Sequence, residues 1–360
     1  MDEKQIAFII KIILGGIKMK KKLLSGLLCV AMVATMLVGC QSKAETAQEA
    51  APAEEATTEE AAPAEEAAVT EEAPAEETVA GEPYKVYLIT MDQMDQHWKN
   101  VDAGCQEAAK ELGNIDYSWL APDVKDDAKQ IECINNAVAG GAQAILLAAN
   151  GPDAVTAALE EATAAGVKII YVDSAANFEG EATFATDNKA AGMTAGTTML
   201  IELEAKGIKE GKIGIINVNA ATASCVAREE GFRAALEGSG FEILETQYGE
   251  GDAAKSKDIA SSYVTQGVVG IFGANEGSTV GAGNAIQEAG DGSIVGVGFD
   301  KSDTIAELIK GGYLLATMAQ NPDVMGKSGI EAAEKVLKGE TLTETNVDTG
   351  VSVLTKDTIK

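Results

Sequence analysis

Asn150 with Asp173, and Asn275 with Asp300, are the residues of this chain best placed to hold a small polar molecule. Each lies at the end of an apolar run of strand length: Ala144–Ala148, Val167–Val172, Val268–Ala274 and Ile294–Phe299. Open α/β sheets hold ligands just beyond the C-terminal ends of their strands. Carboxylates there accept hydrogen bonds, and amides both accept and donate them. Two helix starts flank these pairs. His97-Trp98 leads to Gly104 in the first half, and Arg228 leads to Gly231-Phe232 in the second. Sixty-nine residues separate Gly104 from Asp173, and the same number separate Gly231 from Asp300. Unrelated segments seldom share such a spacing, so the globular part reads as two copies of one unit whose strand ends face each other across a cleft.

Each of these residues has a plainer reading. Asp favours turns and helix N-caps after strands, His97 and Trp98 could pack a helix start, and Arg228 could be an ordinary surface residue. The matching positions in both copies favour ligand contact for Asp173 and Asp300. Asp187 and Asn188 read as hinge and cap residues. An enzyme is the contrasting class. His97 is the sole histidine, which removes a two-histidine metal site or a separate Ser–His pair. A glycosidase carboxylate pair, Asp173 with Asp300, is compatible by residue type. The duplicated frame favours binding without catalysis, metal or cofactor.

The elements that position these residues alternate. Candidate strands are 85–90, 116–120, 144–148, 167–172, 182–186, 212–217, 242–248, 268–274, 294–298 and 314–318, most of them continuous apolar runs suited to burial on both faces. Helices fill the gaps, most clearly 103–112, 226–236 and 329–337, and Gly166, Gly207 and Gly238 suit left-handed caps at helix ends. The pattern predicts two α/β domains with parallel sheets. The chain is expected to cross between them near 186–188, 319–322 and 347–350, making a multi-strand hinge.

Ahead of the fold lies a different composition. Lys20-Lys21-Lys22, the apolar run Leu23–Val38, then Gly39 and Cys40 describe a secretory signal. The run is too short to favour a membrane span. Leu37-Val38-Gly39-Cys40 resembles a bacterial lipoprotein signal, which implies diacylglyceryl attachment at Cys40. Met19 is the natural start of that signal, and Leu14-Gly15-Gly16 reads as a translated ribosome-binding sequence, leaving residues 1–18 as an upstream extension. Residues 41 to about 82 are nearly all Ala, Glu, Pro and Thr. Charge repulsion, the lack of large apolar groups, and Pro52, Pro63 and Pro74 predict a disordered tether. The formal charge of −28 argues against nucleic acid. Of five cysteines, Cys105, Cys133 and Cys225 fall in the globular part, either as buried thiols or with one Cys105–Cys133 disulfide.

Five strings carry a family resemblance: Asp95-Gln96-His97-Trp98, Ala185-Thr186-Asp187-Asn188, Arg228-Glu229-Glu230-Gly231-Phe232, Gly298-Phe299-Asp300, and Ala316-Thr317-Met318-Ala319-Gln320-Asn321-Pro322. In this order they resemble the monosaccharide-binding proteins of ribose and galactose ABC importers, over residues 84–360. LacI-type repressor effector domains share that fold, but a repressor would need a helix-turn-helix where this chain has a secretory signal. The resemblance implies a type I periplasmic binding protein: two Rossmann-like domains, each a parallel sheet flanked by helices. Residues 84–187 with 320–347 would form one lobe, and 188–319 with 348–360 the other, behind a signal peptide (19–39) and a lipidated linker (40–82).

Carried over by position, the implied sugar contacts are Asp95, His97, Trp98, Asn150, Asp173, Arg228, Asn275, Phe299, Asp300 and Gln320, with Trp98 and Phe299 as apolar faces for a sugar ring. Ser174 stands where ribose binders usually place Arg, and Asp95 matches the galactose/glucose type, so a pentose or a hexose is open. The implied partners are a neutral monosaccharide, an ABC permease and ATPase, and the outer face of the bacterial cytoplasmic membrane through the lipid. A sensor subunit presenting its closed form to a receptor is the alternative.

Overall fold

Apolar runs long enough for one strand each, separated by amphipathic helices, assemble here into two parallel sheets. The computed structural model describes residues 82–290 and 292–359. The signal, Cys40 and residues 41–81 of the acidic tract lie outside them. Residues Gly81–Lys360 form one compact unit.

The first sheet contains β1 (Tyr84–Ile89), β2 (Ile115–Leu120), β3 (Ala144–Leu147), β4 (Lys168–Val172), β5 (Ala182–Ala185) and β12 (Asn346–Asp348). Its order is β12-β5-β4-β3-β1-β2, with every pairing parallel. Side chains alternate between its faces. Leu88, Leu146 and Val172 pack under α1 (Gln96–Leu112) and α9 (Pro322–Leu337). Ile89, Ile145 and Leu147 pack under α2 (Asp127–Ala139) and α3 (Thr156–Ala164). Each such buried aliphatic contributes about 1.5–3 kcal/mol relative to exposure.

The second sheet repeats the plan with β6 (Gly211–Asn217), β7 (Phe241–Ile243), β8 (Gln247–Tyr248), β9 (Val268–Gly273), β10 (Val295–Phe299), β11 (Ala316–Gln320) and β13 (Val351–Thr355). The order is β13-β11-β10-β9-β6-β7, with β8 also on β6. Helices α4 (Asn188–Ala205) and α5 (Ala223–Leu236) cover one face, and α6 (Ala253–Thr265) and α7 (Glu276–Ala289) the other. Helix α8 (Asp303–Lys310) packs through Ile305, Leu308 and Ile309.

Several expectations need correction. The run 242–248 is two short strands, β7 and β8. Strands β12 and β13 were not expected, and β13 runs antiparallel to β11. Polar Asn346 and Asp348 hide β12, whose pairing with β5 depends on tertiary context rather than on apolar content. Cys105 and Cys133 are free thiols. They belong to clusters on opposite faces of the first sheet, so no disulfide can join them without rearrangement.

The duplicated glycines have a physical reason. A Cβ on Gly104 would lie 2.1 Å from Asp323 O, and one on Gly231 would lie 2.0 Å from Lys189 O. Each glycine lets one helix pair, α1 with α9 or α4 with α5, touch backbone to backbone. The chain passes between the sheets at 186–187, 321 and 349–350, and these strips bond to one another. Thr349 N donates to Ala185 O at 2.9 Å, and Asn321 Nδ2 donates to Thr349 O at 2.7 Å.

Candidate functional site

In both sheets the strand order reverses beside the first strand of the repeat, between β1 and β3 and between β6 and β9. A crevice opens at such switch points, outside the carboxyl ends of the strands. Asn150 and Asp173 follow β3 and β4, and Asn275 and Asp300 follow β9 and β10. All four are buried.

His97, in the first turn of α1, lies between the two halves. Its Nε2 is 3.0 Å from Asp173 Oδ2, and its Nδ1 is 3.5 Å from Asp300 Oδ1. Burial works against a charged imidazole, but Asp300 and Asp173 outweigh it and raise the His97 pKa. Burial likewise opposes ionisation of Asp173, yet His97 and Arg228 hold its carboxyl well below the usual carboxylate range. Arg228 reaches the same carboxylate from α5, with Nη2 3.6 Å from Oδ2. Its Nε donates to Asn188 Oδ1 at 2.7 Å, and its Nη1 donates to Ala274 O at 3.0 Å. The guanidinium stands 4.4 Å above the Phe299 ring, a favourable cation–π arrangement. Gln320, the last residue of β11, donates from Nε2 to Asp300 Oδ1 at 2.7 Å.

Besides His97 Nε2, which faces Asp173, four buried side-chain atoms of these residues have no hydrogen-bond partner among the described residues: Asn150 Oδ1, Gln320 Oε1, Asn275 Nδ2 and Arg228 Nη2. Two accept and two donate. Leaving a buried polar group unpaired costs about 1–3 kcal/mol, so such a cluster is a candidate place for a guest that both donates and accepts hydrogen bonds. Beside it, toward the crossing strips, a cavity of about 450 Å³ is lined by His97, Asp300, Gln320 and Asn321, within the size range of small-molecule sites.

The two aromatic residues sit differently from the ring-stacking surfaces expected of them. Trp98 belongs to the core beneath the first sheet, with Nε1 donating to Asp92 Oδ2 at 3.2 Å. Phe299 is fully buried beside Phe272, with Arg228 above it. Both rings support the polar groups beside them. Asp95 is engaged as well: Lys125 reaches its Oδ2 at 2.8 Å and also pairs with Asp92. Burial disfavours the ammonium, but Asp95 and Asp92 outweigh it and raise the Lys125 pKa.

A family model for the periplasmic binding protein domain matches residues 86–341. The chain belongs to the periplasmic binding protein family. The ribose import binding protein of Salmonella typhimurium is 31% identical over 239 residues, spanning 65% of this chain and 79% of that protein. A carbohydrate transporter solute-binding protein from Agrobacterium radiobacter, solved in complex with D-arabinose, superimposes with a TM-score of 0.73 at 30% identity, covering 76% of this chain and 95% of that one. An ABC transporter solute-binding protein from Agrobacterium vitis with bound D-fucose gives 0.72 at 31% identity, covering 77% and 97%. Among the described residues of this periplasmic binding protein, no cluster fit to hold a metal ion is present and no helix is long and apolar enough to cross a membrane.

The residues to which sequence reasoning gave no ligand role are mostly partners of those it named. Asn188 orients Arg228. Ser174 Oγ lies 2.6 Å from Ser224 Oγ, so the residue standing in place of Arg links the two lobes directly. Thr222 Oγ1 donates to Asn150 O at 2.7 Å, another link across the cleft. Lys125 was discernible as the one cation in the acidic loop 123–127. Glu276, next to Asn275, accepts from His97 N at 3.0 Å.

Proposed function

We propose that this periplasmic binding protein captures one neutral monosaccharide, a pentose or a hexose, between its two lobes and delivers it to an ABC importer. The four orphaned polar atoms carry this reading. A sugar hydroxyl both donates and accepts, so vicinal hydroxyls can satisfy two acceptors and two donors at once, as no purely anionic or purely cationic guest does. Relatives that carry ribose, and fold neighbours solved with D-arabinose and D-fucose, support the same class. The proposed contacts are Asn150, Asp173, Arg228, Asn275, Asp300 and Gln320, with His97 between the lobes and Asp95 acting together with Lys125. The protein binds and releases without catalysis. Differential contact lets a ligand shift a two-lobe equilibrium, and a permease with its ATPase can then tell loaded protein from empty by shape.

The family's place in the cell envelope agrees with the export signal. The lipid at Cys40 is the proposed anchor, and residues 41–82 the tether. A melting screen of pentoses and hexoses on the purified protein tests the binding reading. A sugar at 100 times its Kd should stabilise by about 2.7 kcal/mol. A shift with an amino acid or nucleoside, and with no sugar, would overturn it.

A further inference from the structure

Helix α1 begins without its own cap. Asp95 occupies its N-cap position with extended backbone, φ −63° and ψ 138°, yet makes no side-chain capping bond. Its carboxylate is held instead by Lys125. Asp126, Asp187, Asp252, Asn275 and Ser302 each accept a backbone N–H at the start of their own helices, whereas Val155, Thr222 and Asn321, ahead of α3, α5 and α9, make no such bond either. A helix start leaves N–H groups unpaired, and a missing cap costs about 0.5–2 kcal/mol.

The acceptor comes from the other lobe. Glu276, in the first turn of α7, reaches across the cleft, and its Oε2 accepts from His97 N at 3.0 Å. We propose that Glu276 is a positioning residue that caps α1 across the cleft, so that the helix start carrying His97 is completed only when the lobes close. The assignment extends the lobe-closing reading above and does not depend on which sugar is bound.

The surroundings of Glu276 give this cap a signature. Burial pushes its carboxyl up, Asp95 and Asp300 push it further, and the N–H groups of α1 only partly offset them, leaving it at about 7. The other charged groups here are His97, set between Asp173 and Asp300, and Lys125, which neutralises much of Asp95. With the lobes apart, Glu276 leaves Asp95 behind and is no longer buried against α1, so its pKa falls toward the ordinary value. A group whose pKa is higher in the closed state favours closure while protonated, and this advantage is lost as pH rises toward the closed-state value. A glutamine keeps an acceptor and loses the charge, whereas an alanine loses both.

The test needs no sugar. Ser174→Cys with Ser224→Cys places two thiols where two hydroxyls lie 2.6 Å apart across the lobes, so the rate of disulfide trapping reports the closed population. It is measured with Glu276, E276Q and E276A, at pH 6 and pH 8, and the cross-link is located by peptide mass. E276A should trap several-fold more slowly than E276Q at both values, since neither carries charge and only one can cap. The rate ratio of E276Q to the Glu276 parent should grow by about tenfold between the two pH values, which cancels the common pH dependence of thiol chemistry. Equal rates for E276Q and E276A would overturn the cap, and so would a pH-independent ratio. If the parent never cross-links, the closed arrangement is absent and the proposal falls with it. Trapping as expected in a protein that binds no sugar would leave the cap standing and defeat the sugar reading alone.

Discussion

Asp173 and Asp300 hold the same unusual backbone, with φ of 62° and 72°. Each directly follows a buried strand, and each amide donates sideways to the neighbouring strand, Asp173 N to Phe184 O at 2.9 Å and Asp300 N to Met318 O at 3.0 Å. Left-handed backbone at a non-glycine residue carries strain. Its presence at both repeats is what turns the two carboxylates away from the strand line and toward His97.

That geometry makes Asp300 sensitive to the kind of substitution. Asp300→Ala removes the acceptor for Gln320 Nε2 and puts a residue less tolerant of positive φ at a strained position. Sugar binding should weaken by about 2–4 kcal/mol. Asp300→Asn keeps an acceptor and tolerates the left-handed region, so its loss should be clearly smaller. Titration calorimetry with the sugar found in the melting screen decides it. Equal affinity in Asp300→Ala would mean that this carboxylate is outside the site.

The central cluster sets a pH window for stability. Asp173 has a depressed pKa, so its contribution is present above the ordinary carboxylate value and lost as pH falls toward the depressed one. His97 has a raised pKa, so its contribution is complete below about 6.5 and fades as pH rises through the raised value. Glu276 acts in the same direction as His97. Unfolding free energy from urea melts should therefore be greatest near pH 4.5, fall as Glu276 ionises between about pH 4.5 and 7, and fall further as His97 loses its proton. His97→Gln in the E276Q background should flatten that decline. An unchanged slope would place its origin elsewhere.

What was legible in the sequence follows from locality. The runs 144–148 and 268–274 announce buried strands because parallel strands covered on both faces need apolar residues throughout. The equal spacing from Gly104 to Asp173 and from Gly231 to Asp300 exposed the duplication, since each glycine answers a backbone contact in its own helix pair. Relations between distant segments were not legible. Strand β12 is polar and exists through its pairing with β5, and β13 through its pairing with β11. The Lys125–Asp95 pair and the Glu276–His97 contact join residues 30 and 179 positions apart, and no local pattern encodes either. Trp98 and Phe299 were recognisable as aromatic residues at the site, but which way each ring packs is decided by the core around it.

The paired glycines offer a stability test independent of any ligand. Gly104→Ala and Gly231→Ala each force a methyl to within about 2 Å of a backbone oxygen, closer than any real contact, and the obstacle is backbone rather than a flexible side chain. Helix axes must separate, and overpacking of this kind costs about 1–3 kcal/mol or more. Alanine's higher helix propensity recovers only about 1 kcal/mol. Both variants should melt lower than the parent, while Gly238→Ala, with open space around its Cβ, should lose only what a left-handed alanine costs. A Gly104→Ala or Gly231→Ala protein melting at or above the parent would refute the close approach.

Arg228 is a site where charge alone is insufficient. Two nitrogens of its fork are hydrogen-bonded, Nε to Asn188 and Nη1 to Ala274 O, while Nη2 faces Asp173 as an ion pair and has no hydrogen-bond partner among the described residues. Its flat face covers Phe299. Lysine offers one point charge without a planar surface, so Arg228→Lys keeps the cation but cannot serve Asn188 Oδ1, Ala274 O and Asp173 together. At least one buried acceptor is left unpaired, at about 1–3 kcal/mol. Sugar affinity should therefore fall by about one to two decades in Arg228→Lys, and Asn188→Ala should lose part of the same energy by freeing the guanidinium to tilt. In a double-mutant cycle the two losses should be less than additive, because both act on one orientation. Strict additivity would separate Asn188 from the binding role of Arg228, and unchanged affinity in Arg228→Lys would reduce that role to charge alone.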